Sequence, residues 1–245
     1  MPSDSLSAKQ WLEQHPLAAG EHLYVVLGSA SAAQPLVRYY QLATPTAPIP
    51  VWGGTPYAGW KEVMPYVDPL AADSPMLDWI DGCEDKDWGW LAVSRHSPEV
   101  VAEHLRGLTQ VIMPDGAQVF FRFWDGRHLL PILQHLGSAS AEVLPVFDRY
   151  WINGHAIKSA AGAVRPAPPY PWWAVPQGLL ESLSEADPST LVDNWLQRLA
   201  DDHPQVYHDL PERNLRLKLT HFARRTPPPQ KTFAALLDYL NMELG

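Results

Sequence analysis

Two periodicities run along this 245-residue chain. Up to about residue 155, short apolar runs bounded by Gly, Pro or Ser alternate with stretches whose apolar residues recur every three or four positions. Beyond residue 178 only the second pattern persists. Unbroken or alternating apolar runs mark strands, and recurrence near 3.6 residues marks helices.

The first helix is expected over 7–14, with Trp11 and Leu12 on its apolar side. The run His22-Leu23-Tyr24-Val25-Val26-Leu27, stopped by Gly28 and Ser29, reads as a strand buried on both faces. Residues 32–42 predict a helix with Leu36, Tyr39 and Tyr40 inward, ended by Pro45, Pro48 and Pro50. Val51-Trp52 then reads as a short strand closed by Gly53-Gly54, residues 56–63 as a short helix, and 66–70 as extended. Ser74 is placed to cap a helix running through Ile80 with Pro75 in its first turn.

Residues 88–94, WGWLAVS, form a strong strand signal, and Ser97-Pro98-Glu99 opens a helix whose Val101, Leu105 and Leu108 make one stripe. Val111–Met113 and Gln118–Trp124 are β-rich runs flanking Pro114-Asp115-Gly116, and Asp-Gly between such runs predicts a hairpin. Alternation puts Phe121 and Phe123 on one face and Phe120, Arg122 and Trp124 on the other. Arg122 on that apolar face needs an anion, and Asp125 is the candidate. A helix over 127–136 follows, carrying Leu129, Leu130, Leu133 and Leu136.

The stretch AVRPAPPYPWWAVPQG, residues 163–178, has five prolines and no regular period, and reads as a semi-rigid polyproline-like linker or covering arm. Its Trp172 and Trp173 either staple it to the body or stand out as an aromatic anchor for a partner, and Tyr170 is a candidate partner contact beside them. Helices follow with Leu191, Trp195 and Leu199 after Asp187-Pro188, with Leu215, Leu219 and Phe222 after Pro211-Glu212, and with Phe233, Leu236, Leu237 and Leu240 after Pro227–Pro229. The expected fold is thus α/β or α+β. A mixed β-sheet flanked by helices and containing one β-hairpin (1–160) is joined by the linker (161–178) to a small all-helical lobe (179–245).

Composition narrows the function classes. A net charge of −9 opposes binding to nucleic acid or an anionic membrane surface. No window has the length of apolar residues that membrane insertion needs, and no basic-then-apolar leader is visible, so a cytoplasmic location is expected. Cys83 alone excludes an internal disulfide. Against the acidic whole, Arg213, Arg216, Lys218, Arg224, Arg225 and Lys231 face a single nearby acid in sequence, Glu212, which makes that stretch a candidate partner surface.

Catalytic and cofactor motifs are scarce. Gly28-Ser29-Ala30-Ser31 lacks the spacing of a phosphate cradle, and no HExxH or G-x-S-x-G occurs, so no cofactor or metal is expected. The group with most chemical character is Arg122, Asp125, Arg127 and His128. As an enzyme it would clamp a small anion beside a general base. As structure, Arg122 is ion-paired and Asp125 caps the following helix.

In order, YVVLGSA, VWGGTPYAGWKEVMPYVDPL, WGWLAVS, SPEVVAEHLRGL and VIMPDGAQVFFRFWDGRHL resemble the adaptor-chaperone family of bacterial type VI secretion, the Tap or TEC proteins. The most specific parts are the hairpin, with Asp115 and Gly116, and the phrase FRFWD, with Arg122, Trp124 and Asp125. In that family a small residue, an Arg (here Arg127) and an apolar helix follow; Gly126 stands where Pro is common. The resemblance covers about residues 8–150 and leaves the linker and helical lobe unmatched. It implies a non-catalytic protein that binds a cognate toxin effector and helps load it onto the C-terminal region of the VgrG spike.

Overall fold

The apolar run after His22 becomes the centre of a sheet. The computed structural model describes residues 5–43, 47–159, 170–186, 188–208, 210–227 and 230–244. The chain forms two compact units, Met1–Val175 and Pro176–Gly245.

In the first unit, β1 (His22–Gly28), β2 (Ile49–Pro50), β3 (Pro65–Pro69), β4 (Gly89–Ser94), β7 (Arg149–Ile152) and β8 (His155–Lys158) form a six-stranded sheet. Its order is β2-β3-β1-β4-β7-β8. Every pairing in it is antiparallel, so the mixed sheet expected from the alternating elements resolves into an α+β arrangement.

Both faces of the central strands are buried, as an unbroken apolar run requires. Leu23, Val25 and Leu27 share one face with Leu91, Val93 and Trp151. They pack against α1 (Ala8–Gln14), α2 (Pro35–Leu42) and α3 (Met76–Gly82) through Trp11, Tyr39, Met76 and Ile80. On the other face Tyr24, Trp90 and Tyr150 are buried around Phe147, with ring centroids 5.4–6.4 Å apart. The indole N–H of Trp90 donates to the Phe123 carbonyl at 2.8 Å. Local signals set the helix starts: Ser7 and Gln10 form a reciprocal capping box on α1, and Ser74 Oγ accepts from the Met76 amide at the start of α3.

α4 (Pro98–Gly107) buries Val101 and Leu105, as its stripe predicts, and also His104. The His104 Nε2 lies 2.8 Å from the Val143 carbonyl at the end of α6 (Ser140–Val143). Burial holds the imidazole below its ordinary pKa of 6.5, against a smaller opposing pull from that hydrogen bond. The unfolded chain therefore takes up a proton near pH 6.5 that the folded chain refuses. Stability present above that pH is lost as the pH falls through it toward the lower folded value. Thermal melts between about pH 7.5 and 5.5 are expected to show a falling Tm for the wild type and a flatter profile for His104→Gln. Equal slopes for the two proteins would remove His104 as the cause.

Several sequence expectations are corrected. Tyr40 is 58% exposed rather than inward, because α2 starts at Pro35 and only its Pro35–Tyr39 side meets the core. Val51-Trp52 is not a strand; the strand is Ile49–Pro50, and both Val51 and Trp52 are buried in the turn after it. Residues 56–63 form turns, not a helix. Among the described residues a second tight hairpin accompanies the expected one. The second, β7–β8, turns on Asn153-Gly154 with φ of +50° and +87°, the backbone that Asn-Gly supplies at a two-residue hairpin.

The proline-rich stretch divides. Residues 161–169 lie outside the described residues, as do Pro45 and Asp187. Residues Ala174 and Val175 instead run alongside Ile112 in the first unit.

In the second unit, α7 (Gln177–Ala186), α8 (Ser189–Asp202), α9 (Pro204–His208), α10 (Glu212–Arg225) and α11 (Phe233–Leu244) form the expected helical lobe. Its core joins Val192, Trp195, Leu196 and Leu199 to Leu215, Leu219, Phe222, Leu236 and Leu240.

Candidate interaction surface

Residues 51–63, VWGGTPYAGWKEV, combine three large aromatics with Gly53, Gly54, Pro56 and Gly59, a composition that breaks helices and makes turns. The backbone obliges with successive turns: Gly53 N–H donates to the Pro50 carbonyl, Thr55 to Trp52, Ala58 to Thr55, Trp60 to Tyr57 and Val63 to Trp60. Gly54 takes φ +75°. The Val51 carbonyl is held by Arg106 Nε of α4 at 2.8 Å.

Opposite stands the hairpin β5 (Gln110–Ile112) and β6 (Gln118–Phe120). Gly116 N–H donates to the Met113 carbonyl across Pro114-Asp115, Gly116 has φ +85°, and Asp115 Oδ1 accepts from the Ala117 amide at 2.9 Å. The expected turn chemistry of Asp115 and Gly116 is thus in place. The second strand ends earlier than its β-rich sequence predicts. Past Phe121 the chain turns, so Trp124 leaves the Phe120 and Arg122 face and is buried beside Phe123 and Trp52.

Turn loop and hairpin meet in a cluster of rings. Trp52 is its buried floor, within 5.3–6.3 Å of Tyr57, Trp60, Phe120 and Trp124. Phe120 lies 5.0 Å from Tyr57 and 5.3 Å from Trp60. Trp60 is 49% exposed, and Val63, Val119 and Phe120 are each more than a third exposed. Tyr170 joins the same surface: it is 42% exposed, donates its hydroxyl to Gln110 Oε1 at 2.7 Å, and has its phenol pKa raised by burial and by Tyr57 beside it. Large aromatics held half-open on a rigid support are what protein interfaces are rich in.

The other sequence-derived candidates are placed as follows. Trp173 is buried, its ring 5.4 Å from Phe121, and its carbonyl accepts from Ile112 N–H. Trp172 is half-buried with its ring 5.8 Å from His104. Trp173 thus packs on the hairpin and Trp172 lies against α4.

Arg122, Asp125, Arg127 and His128 do come together. Asp125, fully buried, caps α5 (Gly126–Leu136) through the Arg127 amide at 3.0 Å. Its carboxylate also accepts from Arg127 Nη2 at 2.9 Å and Arg122 Nη2 at 3.1 Å, with His128 Nε2 at 3.6 Å. Arg127 reaches on to Asp87, which in turn accepts from Ser31 Oγ. This is a knot tying α5 to the residues just before β4 and just after β1. The Asp125 carboxylate is thus closed off from solvent and occupied by the helix cap and the two arginines.

In the second unit Arg213, Arg224 and Arg225 are exposed along α10. Arg216 is not unpaired, as its sequence neighbours implied: Asp193 of α8 binds it at 2.5 Å, and Glu212 lies 3.8 Å away. Among the described residues no group of three or more His, Cys, Asp or Glu is arranged to hold a metal ion, and no helix is long and apolar enough to cross a membrane.

Residues 23–142, from β1 into α6, match the family model described as a domain of unknown function, DUF4123. No curated protein and no solved structure matches the chain. The turn loop and the β5–β6 hairpin both lie inside the matched segment. Sequence reading missed Tyr57, Trp60 and Phe120 as a surface over the buried Trp52 because it assigned them to regular elements. The available signal was three aromatics without period in a stretch dense in turn residues.

Proposed function

We propose that this chain is a cytoplasmic adaptor that binds a toxin effector of a type VI secretion system and helps load it onto the C-terminal region of the VgrG spike, acting by protein–protein contact without catalysis. The observation that carries the protein-binding reading is the half-open aromatic surface of Tyr57, Trp60, Phe120 and Tyr170. Its support is rigid: the turn loop is hydrogen-bonded within itself and to α4, and the hairpin is anchored by the buried Trp173. The resemblance of VIMPDGAQVFFRFWDGR to the adaptor-chaperone family supplies the identity of the partners. A match to DUF4123 over the same segment is consistent with it but names no activity.

The full chain, co-expressed with the toxin encoded beside it and with the spike's C-terminal region, is expected to retain at least one of them through purification. Retention of neither at micromolar concentration ends this reading. Trp60→Ala and Phe120→Ala are each expected to weaken the retained complex by about 2 kcal/mol, roughly thirty-fold in Kd, with an unchanged melting temperature. Exposed rings contribute little to folding, so binding lost in proportion to lost fold would move the surface elsewhere.

A further inference from the structure

The alternation of hydrogen bonds in the β5–β6 hairpin leaves one edge of it open. Bonds between the strands run from Met113 N–H to the Ala117 carbonyl at 2.8 Å and from Phe121 N–H to the Thr109 carbonyl at 3.0 Å, with Val111 paired to Val119 between them. Residues at the intervening positions point their amides outward. On β5 this is seen directly: Ile112 N–H donates to the Trp173 carbonyl at 2.9 Å and its carbonyl accepts from Val175 N–H at 2.8 Å. The residues opposite Ile112 and Gln110 are Gln118 and Phe120. Their N–H and C=O groups face away from β5, and among the described residues no hydrogen bond reaches them.

Open edges are normally guarded by Pro, by Lys or by a covering element. The six-stranded sheet follows that rule, with Pro50 on its β2 edge and Lys158 on its β8 edge. β6 does not: its three residues Gln118, Val119 and Phe120 are all exposed, and none is charged or proline. Beside the edge stand the rings of Tyr57 and Trp60 against Phe120. Just past its end is Arg122, whose side chain is 49% exposed and bonded to Asp125 through a single nitrogen.

We infer that β6 accepts an extended segment of the partner protein as an added antiparallel or parallel strand. This rests on the protein-binding reading above and specifies its chemistry. Main-chain bonds to Gln118 and Phe120 hold the segment, an apolar side chain lies over Phe120 and Trp60, and a carboxylate near one end meets Arg122. An added strand gains affinity from backbone bonds and selectivity from alternate side chains. A helix could cover the rings but would leave the outward amides unpaired.

The test uses the full chain and a phage-displayed library of random twelve-residue peptides, so that it needs no knowledge of the natural partner. The expected peptides carry β-branched or aromatic residues at alternate positions with an acidic residue toward one end. Bound to the wild type, they are expected to slow amide hydrogen exchange at Gln118 and Phe120 at least tenfold. Gln118→Pro, which removes an outward donor and leaves the Val111–Val119 pair intact, is expected to lose at least tenfold in affinity. The exchange measurement on the wild type stands even where that variant fails to fold. Enrichment of no peptide overturns the inference, as does enrichment of peptides that protect Ala156 and Lys158 on β8 or that leave Gln118 and Phe120 unprotected. Failure of the toxin and spike to co-purify, with strand-adding peptides still bound at β6, overturns the secretion reading and leaves the docking edge standing.

Discussion

Gly89→Ala is expected to leave the first unit largely unfolded, at a cost of about 4 kcal/mol or more, the range reserved for disruptive core changes. Gly89 opens β4 opposite Leu27 with φ +144°, a backbone that residues bearing a Cβ rarely adopt. A Cβ built there lies 1.9 Å from the Val26 carbonyl oxygen and 3.2 Å from Leu27 Cα. Both neighbours are backbone of the central strand, so no side chain can swing aside. Relief requires β1 and β4 to part, and with them the ladder on which both faces of the sheet depend. Strained φ alone costs of order 1–3 kcal/mol, and the lost ladder adds to it. Urea unfolding followed by tryptophan fluorescence checks this, and a midpoint within experimental error of the wild type would sink it.

Asp125→Ala is the second large loss, about 2–4 kcal/mol. The helix cap contributes about 1 kcal/mol. Hydrogen bonds to a charged group contribute about 1.5–3 kcal/mol, and the two arginines, half-exposed at 49% and 51%, are discounted because water replaces part of what they lose. Arg122→Ala, which removes one bond from a half-exposed side chain, is expected to cost under about 1 kcal/mol. Chemical denaturation of the two variants gives the ranking, and equal losses would mean that the Arg122 bond rather than the cap holds the knot. Asp125→Ala is not expected to alter contacts with the exposed rings once the folded fraction is accounted for, whereas Arg122→Ala is expected to weaken a partner whose carboxylate meets Arg122.

How legible each part was depended on whether its cause is local. The helix starting after Ser7, the β1 run, the hairpin on Asp115-Gly116 and the Asp125 cap all rest on interactions within a few residues, and each stands where its sequence signal lies. The Asn153-Gly154 hairpin is equally local and was there to be read. The loop at 51–63 is different. Its turns are foretold by Gly53, Gly54, Pro56 and Gly59, but its aromatics acquire meaning only when Phe120, some sixty residues on, is brought against them. The same holds for Arg216, whose sequence neighbourhood is basic but whose partner Asp193 arrives from another helix.

The hairpin at Val111–Arg127 shows both sides. Sequence alone determined its turn, its paired Arg122 and the helix cap at Asp125, because Asp-Gly geometry, a cation three residues from a carboxylate and an Asp before a helix are short-range physics. Only the tertiary structure decided that Trp124 turns inward, that Trp173 closes one edge of the hairpin, and that the other edge stays open beside Trp60. Those outcomes depend on which distant surfaces compete to cover each ring and each backbone amide. Burial is settled by the whole chain, and no window of sequence contains it.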